Sequence, residues 1–139
     1  MPLWRQGAKF AARRMPKVIN PTTHAVLDYV VAGSFLLKAA LLWKRHRRAA
    51  TGSLLCGGAA LANALLTDYP GGVFRKISYR THGRNEAAIA GLTISAPPLL
   101  GFAQDSESRF FSGEALMETM VTGMTDFDYY EENRWRRRW

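Results

Sequence analysis

The sequence of 139 residues has little of what usually marks a disulfide-bonded protein, a zinc protein or an enzyme. Its single cysteine, Cys56, excludes a disulfide framework and any zinc site made of several cysteines. Cys56 lies in an apolar run, so we interpret it as a small buried hydrophobic residue. No complete catalytic motif and no cofactor signature is present. The chain is therefore not predicted to be an enzyme.

Charge is nearly absent from four stretches, at about 25–43, 49–66, 87–103 and 110–124. The second stretch has no charged residue, whereas a surface helix of a soluble bundle shows a charged or strongly polar face. Its glycines, alanines and serine suit close helix packing in lipid. At about 15–19 residues each, the stretches need flanking residues to span a bilayer. We predict an all-α fold, a bundle of four transmembrane helices, with a soluble four-helix bundle as the alternative.

The sequence contains an internal repeat with an offset of 58 residues. The repeated unit reads I-x3-T-H-x3-[D/E]-x4-G, followed by two apolar stretches and T-D-[Y/F]. Two spans return the chain to its starting side, so the copies are predicted to be parallel tandem helical hairpins. The predicted organisation is a basic N-terminal arm at 1–20, hairpin repeats at 21–69 and 70–127, and an Arg/Trp-rich tail at 128–139.

The basic residues predict an orientation. Thirteen lysines and arginines lie on the side of the chain termini and five on the other side, although the run Lys44–Arg48 opposes this asymmetry. We expect a multi-pass protein of the bacterial inner membrane with both termini in the cytoplasm. The net charge of +8 then fits anionic lipid head groups at the basic tails, and nucleic acid is not predicted as a partner.

Two segments resemble a known family. The stretch T-H-A-V-L-D-Y-V-V-A-G (Thr23–Gly33) looks like the opening helix of the SPW-repeat family of small bacterial membrane proteins. The stretch S-A-P-P-L-L-G-F (Ser95–Phe102) resembles the segment that holds the family's Ser-Pro-Trp signature, but no tryptophan follows a proline here. The resemblance covers residues 19–127 and implies a helical membrane fold, with no known activity.

Histidines and acids recur at equivalent places in the two repeats. In each repeat a histidine is followed four residues later by an acid, so the two side chains share a helix face, just after a threonine that can cap the helix. With the T-D aspartates, the candidate cluster is His24, Asp28, Asp68, His82, Glu86 and Asp126. A structural role tying each hairpin together is one interpretation. The others are a metal site, a haem held by His24 and His82, or a proton relay.

Three charged residues fall within the apolar stretches: Lys38, Glu114 and Glu118. Ionisable residues inside a span usually have a function or a partner. Lys38 and Glu114 are predicted at similar depth, so we expect an ion pair between them or a Lys38 side chain extending outward. Glu118 has no obvious partner. Pro97-Pro98 is expected to kink the third helix.

The chain ends carry aromatic and basic residues that suit a lipid interface or a protein partner. They are Trp4, Arg134, Trp135, Arg136, Arg137, Arg138 and Trp139. The fourth stretch, with two glutamates, is poorly suited to face lipid alone. The leading prediction is therefore a non-catalytic accessory subunit that packs against a larger membrane protein complex. A small transporter or channel, and a metal- or haem-binding redox protein, are the alternatives.

Overall fold

The structure, a computed structural model, describes residues 15–136, and the side chains of residues 15–133. This part of the chain is helical, with two isolated β-bridges and no strand. The helices are α1 (Pro21–Leu42), α2 (Arg47–Leu66), α3 (Tyr79–Leu99), α4 (Ser108–Gly123) and α5 (Phe127–Arg136). The predicted all-helical fold is confirmed.

Helices α1 and α3 begin with equivalent N-caps. Asn20 accepts a hydrogen bond from the backbone N–H of Thr23, and Ser78 accepts one from Thr81. The caps are thus three residues before the threonines that we predicted for this role. Since an N-cap bonds the N–H of the third helical residue, the threonines lie inside the first turn.

Two helical hairpins form, α1 with α2 and α3 with α4, as the repeat predicts. His46 caps α2 through its ring Nδ1, which accepts from the N–H of Ala49. Pro97 and Pro98, which are expected to kink the third helix, lie in its last turn, and α3 ends at Leu99. Each proline lacks the N–H that would bond to the carbonyl four residues earlier, so the helix ends soon after them.

The repeats pair with each other at the ends of the hairpins. Ile19 forms a parallel bridge with Thr125, and Ile77 forms the equivalent bridge with Thr67. In each bridge, the isoleucine that precedes one T-H segment pairs with the threonine of the other repeat's T-D segment, and the two bridges are related by the offset of 58 residues. The bridges therefore bring the T-H segment of one hairpin beside the T-D segment of the other.

The interior has two parts. At the end of the bundle where the α1–α2 and α3–α4 loops lie, an apolar core surrounds Phe35, Phe102 and Phe111, which are all fully buried. At the opposite end, Tyr69 and Tyr79 form a second, aromatic cluster with Phe127 and Tyr130 against it. The repeated polar residues lie next to this aromatic cluster.

Two helices, α1 and α2, are long and apolar enough to cross a membrane. The spans predicted for the other half of the chain do not meet the same test, because α3 begins with a polar segment and α4 has 16 residues with two glutamates. Four membrane crossings thus remain a prediction. On α1, Val26, Val30, Leu37 and Leu41 are all more than half exposed.

The tail predicted at 128–139 begins inside a fifth helix, which the sequence did not indicate. Helix α5 packs on the start of α3, where the Tyr79 ring lies 4.7 Å from that of Phe127 and 5.0 Å from that of Tyr130, between centroids. Arg80 forms an ion pair with Asp128 at 2.6 Å. Among the predicted interface residues, Trp4, Arg137, Arg138 and Trp139 lie outside the described residues, as do the side chains of Arg134, Trp135 and Arg136.

Candidate metal-binding site

Two histidines from different repeats meet in the interior of the bundle, near the starts of α1 and α3. His24 and His82 each follow the N-cap of their helix by four residues, so both rings project inward at the same level. Their Nε2 atoms are 3.2 Å apart, and both side chains are buried.

Two carboxylates complete this cluster of four side chains. Nε2 of His24 lies 3.3 Å from Oδ1 of Asp28 and 3.0 Å from Oε1 of Glu86. Nε2 of His82 lies 3.2 Å from Oδ2 of Asp28 and 3.3 Å from Oε1 of Glu86. Each histidine therefore contacts the acid of its own helix and the acid of the other repeat. We call these four residues the His/acid cluster.

Threonines hold the outer nitrogens of both rings. Nδ1 of His24 is 2.8 Å from the Thr125 hydroxyl, and Nδ1 of His82 is 2.7 Å from that of Thr67. Each hydroxyl donates its own proton to a backbone carbonyl four residues earlier. A hydroxyl whose proton is used in this way can only accept from the ring, so Nδ1 carries the proton. In a neutral ring Nε2 then has a free lone pair, which points into the cluster.

Further hydroxyls orient the carboxylates. Tyr69 donates to Oδ2 of Asp28 at 2.7 Å, and Thr122 donates to Oε2 of Glu86 at 2.8 Å. Burial and the neighbouring Asp28 carboxylate raise the pKa of Tyr69, so its hydroxyl remains a donor. Phe127 occupies the position equivalent to Tyr69, which explains why the second carboxylate takes its hydrogen bond from Thr122 instead.

The cluster offers four ligand atoms that lie within 4.8 Å of one another. A tetrahedral Zn²⁺ ion with ligands at about 2.0–2.1 Å places its ligand atoms about 3.3 Å apart. Nε2 of His24, Nε2 of His82 and Oε1 of Glu86 lie 3.0–3.3 Å from one another, which agrees with this value, and Asp28 directs one oxygen to each histidine. Histidines whose other nitrogen donates to a fixed acceptor are the usual arrangement in metal sites. A divalent ion would neutralise the two carboxylates.

A haem held by His24 and His82 does not fit. Axial ligands of a haem lie on opposite faces of the macrocycle, with the whole ring between them. The gap of 3.2 Å between the two Nε2 atoms leaves no space for a macrocycle, and carboxylates flank it.

The two T-D aspartates of the predicted cluster lie elsewhere. Asp68 lies 3.6 Å from Arg75, and Asp126 accepts a hydrogen bond from the N–H of Tyr129 at the start of α5. The neighbouring threonines reach the histidines in their place. The aspartate of each T-D pair was predicted to contact the histidines, but the threonine makes this contact instead.

The three charged residues of the apolar stretches also lie apart from the cluster's ligands. The predicted Lys38–Glu114 ion pair does not form: Lys38 Nζ lies 5.3 Å from the Phe110 ring centroid, and Glu114 accepts from the Ser34 hydroxyl at 2.7 Å. Glu118 is buried, and its Oε1 accepts a long hydrogen bond of 3.4 Å from Thr93.

A small cavity of about 20 Å³ adjoins the His/acid cluster on the side of the bundle interior. Asp28, His82 and Glu86 border it at one end and Glu118 at the other. This volume holds one water molecule or one ion and no organic substrate. No protein-family model matches the chain, and no match is found among curated proteins or solved structures.

Proposed function

We propose that this protein is a small multi-pass membrane protein that binds one divalent transition-metal ion through His24, Asp28, His82 and Glu86. One observation carries the proposal. Both Nδ1 atoms donate to threonines, so neutral rings would turn two Nε2 lone pairs toward two carboxylates at one buried point. Four electron-pair donors that face one another repel unless a metal ion, or a proton on each Nε2, lies between them.

The ligand set narrows the choice of ion. Two imidazoles favour Zn²⁺, Fe²⁺, Cu²⁺ or Ni²⁺, whereas Mg²⁺ and Ca²⁺ prefer oxygen ligands alone. Zn²⁺ is the first choice because it takes four nitrogen and oxygen ligands from histidines and carboxylates. The competing occupant is a pair of protons, one on each Nε2, which would make the cluster a purely structural set of His–acid hydrogen bonds.

The membrane part of the proposal is supported by the surface of the bundle. Helix α1 turns a row of valines and leucines outward, and α2 has no charged residue after its first turn. An apolar exposed face of this kind suits lipid. We include α3 and α4 as further spans, both termini in the cytoplasm of a bacterium, and basic ends against anionic lipid. The resemblance to the SPW-repeat family is part of the same proposal.

Metal analysis of the purified protein tests the metal site. Detergent-solubilised wild type is expected to bind one Zn²⁺ or Co²⁺ per chain by titration calorimetry, with cobalt giving visible absorption bands. His82→Ala should weaken binding by more than about 100-fold, because it removes a ligand. His46→Ala is the matched control, since His46 lies at the other end of the bundle beside Asp105.

Two results would contradict the metal site. If the wild-type protein binds no ion, the result supports the alternative in which each Nε2 carries a proton. Equal affinities of His82→Ala and His46→Ala would place the bound ion outside the His/acid cluster.

A second function, the accessory subunit, is favoured by a groove between α3 and α4. Small residues line it, among them Ala87, Ala90, Gly91 and Ala115. Small residues at such spacing let another helix approach closely in lipid. We propose a transmembrane helix of a larger membrane protein as the occupant.

Co-purification tests this second function. A Cβ atom added at Gly91 would meet nothing within 4 Å, so Gly91→Leu is expected to fold normally while blocking the groove. Gly58→Leu, at an equally open position on α2, is the control. Loss of one defined membrane partner in Gly91→Leu alone supports the accessory role, and equal recovery with both variants contradicts it.

A further inference from the structure

The His/acid cluster has a closed side and an open side, and this difference indicates how an ion reaches it. On the closed side, the rings of Tyr69, Tyr79 and Phe127 surround His24 at centroid distances of 5.3–6.5 Å. Tyr69 and Tyr79 are fully buried. These rings separate the cluster from the near end of the bundle, so an ion entering there would have to displace packed aromatic side chains.

The open side faces the middle of the bundle. The cavity of about 20 Å³ begins at the cluster and continues one helical turn deeper, between Val31, Ala60 and Ile89. Its far end is formed by Glu118. Apart from Glu118 and Asn63, the residues beyond the cluster that border it are apolar.

Glu118 is suited to bind a cation at this point. It is 8% exposed, and its Oε2 atom has no hydrogen-bond partner. A buried carboxylate oxygen without a partner is costly, and a cation or a water molecule in the cavity would remove that cost. The hydroxyl of Thr93 donates to the other oxygen, and Glu118 is one of the residues that line the cavity.

Two further polar side chains, one turn before and one turn after Glu118, lie on the same face of α4. Thr122, four residues after Glu118, donates to Glu86 of the cluster. Glu114, four residues before Glu118, also has an oxygen without a partner. Residues four apart lie on one helix face, about 6 Å apart along the axis. The cluster, Glu118 and Glu114 thus form a row of carboxylates that leads away from the aromatic rings.

We propose that a divalent metal ion enters and leaves the His/acid cluster through the cavity, with Glu118 as the transfer ligand. This inference rests on the proposed metal site and adds its route of access. The step is a ligand exchange: a bond between the ion and a cluster atom is replaced by a bond to Glu118 Oε2, with no change of oxidation state. Glu118 speeds both the loading and the release of the ion and adds little to the equilibrium affinity of the site.

Stopped-flow release of Co²⁺ into excess EDTA tests the route, using the full chain in detergent. Glu118→Gln keeps the size of the side chain but removes the charge, so release and loading should both slow by about tenfold, as loss of one charge-assisted contact predicts. The dissociation constant should stay within about threefold, which also reports an intact fold. Glu118→Asp should recover part of the rate.

Glu132→Gln is the matched control, because Glu132 is exposed on α5 and should leave both rates unchanged. Unchanged rates in Glu118→Gln would overturn the route. Loss of equilibrium binding in this variant would also overturn it, by making Glu118 a ligand of the resting ion. Failure of the proposed function gives a different result, since wild type would then bind no Co²⁺ at all.

Discussion

His24 and His82 are separated by 58 residues in the sequence, yet their Nε2 atoms lie 3.2 Å apart. Neither ring is free to turn, because each Nδ1 is bound to a threonine hydroxyl whose own proton is already donated. The threonine beside His24 belongs to the second repeat, so the two copies of the hairpin complete each other's histidine environment.

Removing a threonine hydroxyl is expected to weaken metal binding without removing a ligand. Thr67→Val and Thr125→Val should each lower the affinity for Zn²⁺ by about 10–100-fold, because the partners of a ligating histidine set its orientation. Titration calorimetry measures the effect. Thr119→Val is the control, since Thr119 makes the same type of hydrogen bond to a carbonyl four residues earlier, that of Ala115. Equal effects of all three variants would contradict the role of the threonines.

The hydroxyl of Tyr69 should contribute to stability. Tyr69→Phe leaves Asp28 with one donor fewer, and we expect a loss of about 1–3 kcal/mol in the free energy of unfolding. The ring itself should still fit, because Phe127 is the equivalent residue of the second repeat. Denaturant unfolding in detergent is the measurement. Tyr129→Phe, at a residue 66% exposed, should change the free energy by less than about 0.5 kcal/mol.

Two adjacent glycines of α2 should respond in opposite ways to alanine. A Cβ atom at Gly57 would lie 2.7 Å from Cβ of Phe35, whereas one at Gly58 would meet nothing within 4 Å. Gly57→Ala should destabilise the fold by about 1–3 kcal/mol through overpacking against α1. Gly58→Ala should stabilise it by up to about 1 kcal/mol through helix propensity. Thermal unfolding compares them, and similar shifts for both would argue against close contact of α1 and α2.

The proposed four spans place the two ends of the bundle on opposite sides of the membrane. In a Cys56→Ala background, Ser106→Cys in the α3–α4 loop should react with a membrane-impermeant maleimide in intact bacterial cells. Val73→Cys, in the loop between α2 and α3 and 63% exposed, should react only after lysis. Reaction of both in intact cells, or of neither, would contradict this arrangement.

Much of the local architecture could be predicted from the sequence. The i,i+4 spacing of His24 with Asp28 and of His82 with Glu86 sets each pair on one helix face whatever surrounds it. The offset of 58 residues likewise predicts that the two pairs have equivalent positions. Helix α5 could not be predicted in the same way, because its residues are polar and its helix is supported by packing on Tyr79 and by the Arg80–Asp128 ion pair.

The errors concern contacts between helices. Asp68 and Asp126 were predicted to join the cluster, and the Lys38–Glu114 pair was predicted from depth alone. Depth follows from counting residues, but the direction of a side chain depends on how each helix is rotated about its axis. The T-D pairs lie just after the ends of α2 and α4, where the threonines form β-bridges, and successive side chains of an extended segment point to opposite sides. Only one member of each pair can therefore face the histidines, and it is the threonine.

From the sequence alone, the four helices of the two hairpins, the repeat and the pairing of each histidine with an acid could be predicted, since all of these depend on spacings along the chain. The tertiary structure was needed to show that both histidines share one point, that threonines orient them, and that one cavity borders both His82 and Glu118. Those relations depend on the packing of two hairpins against each other. Distances of 3.0–3.3 Å between side chains of different repeats arise only when the interior is closed.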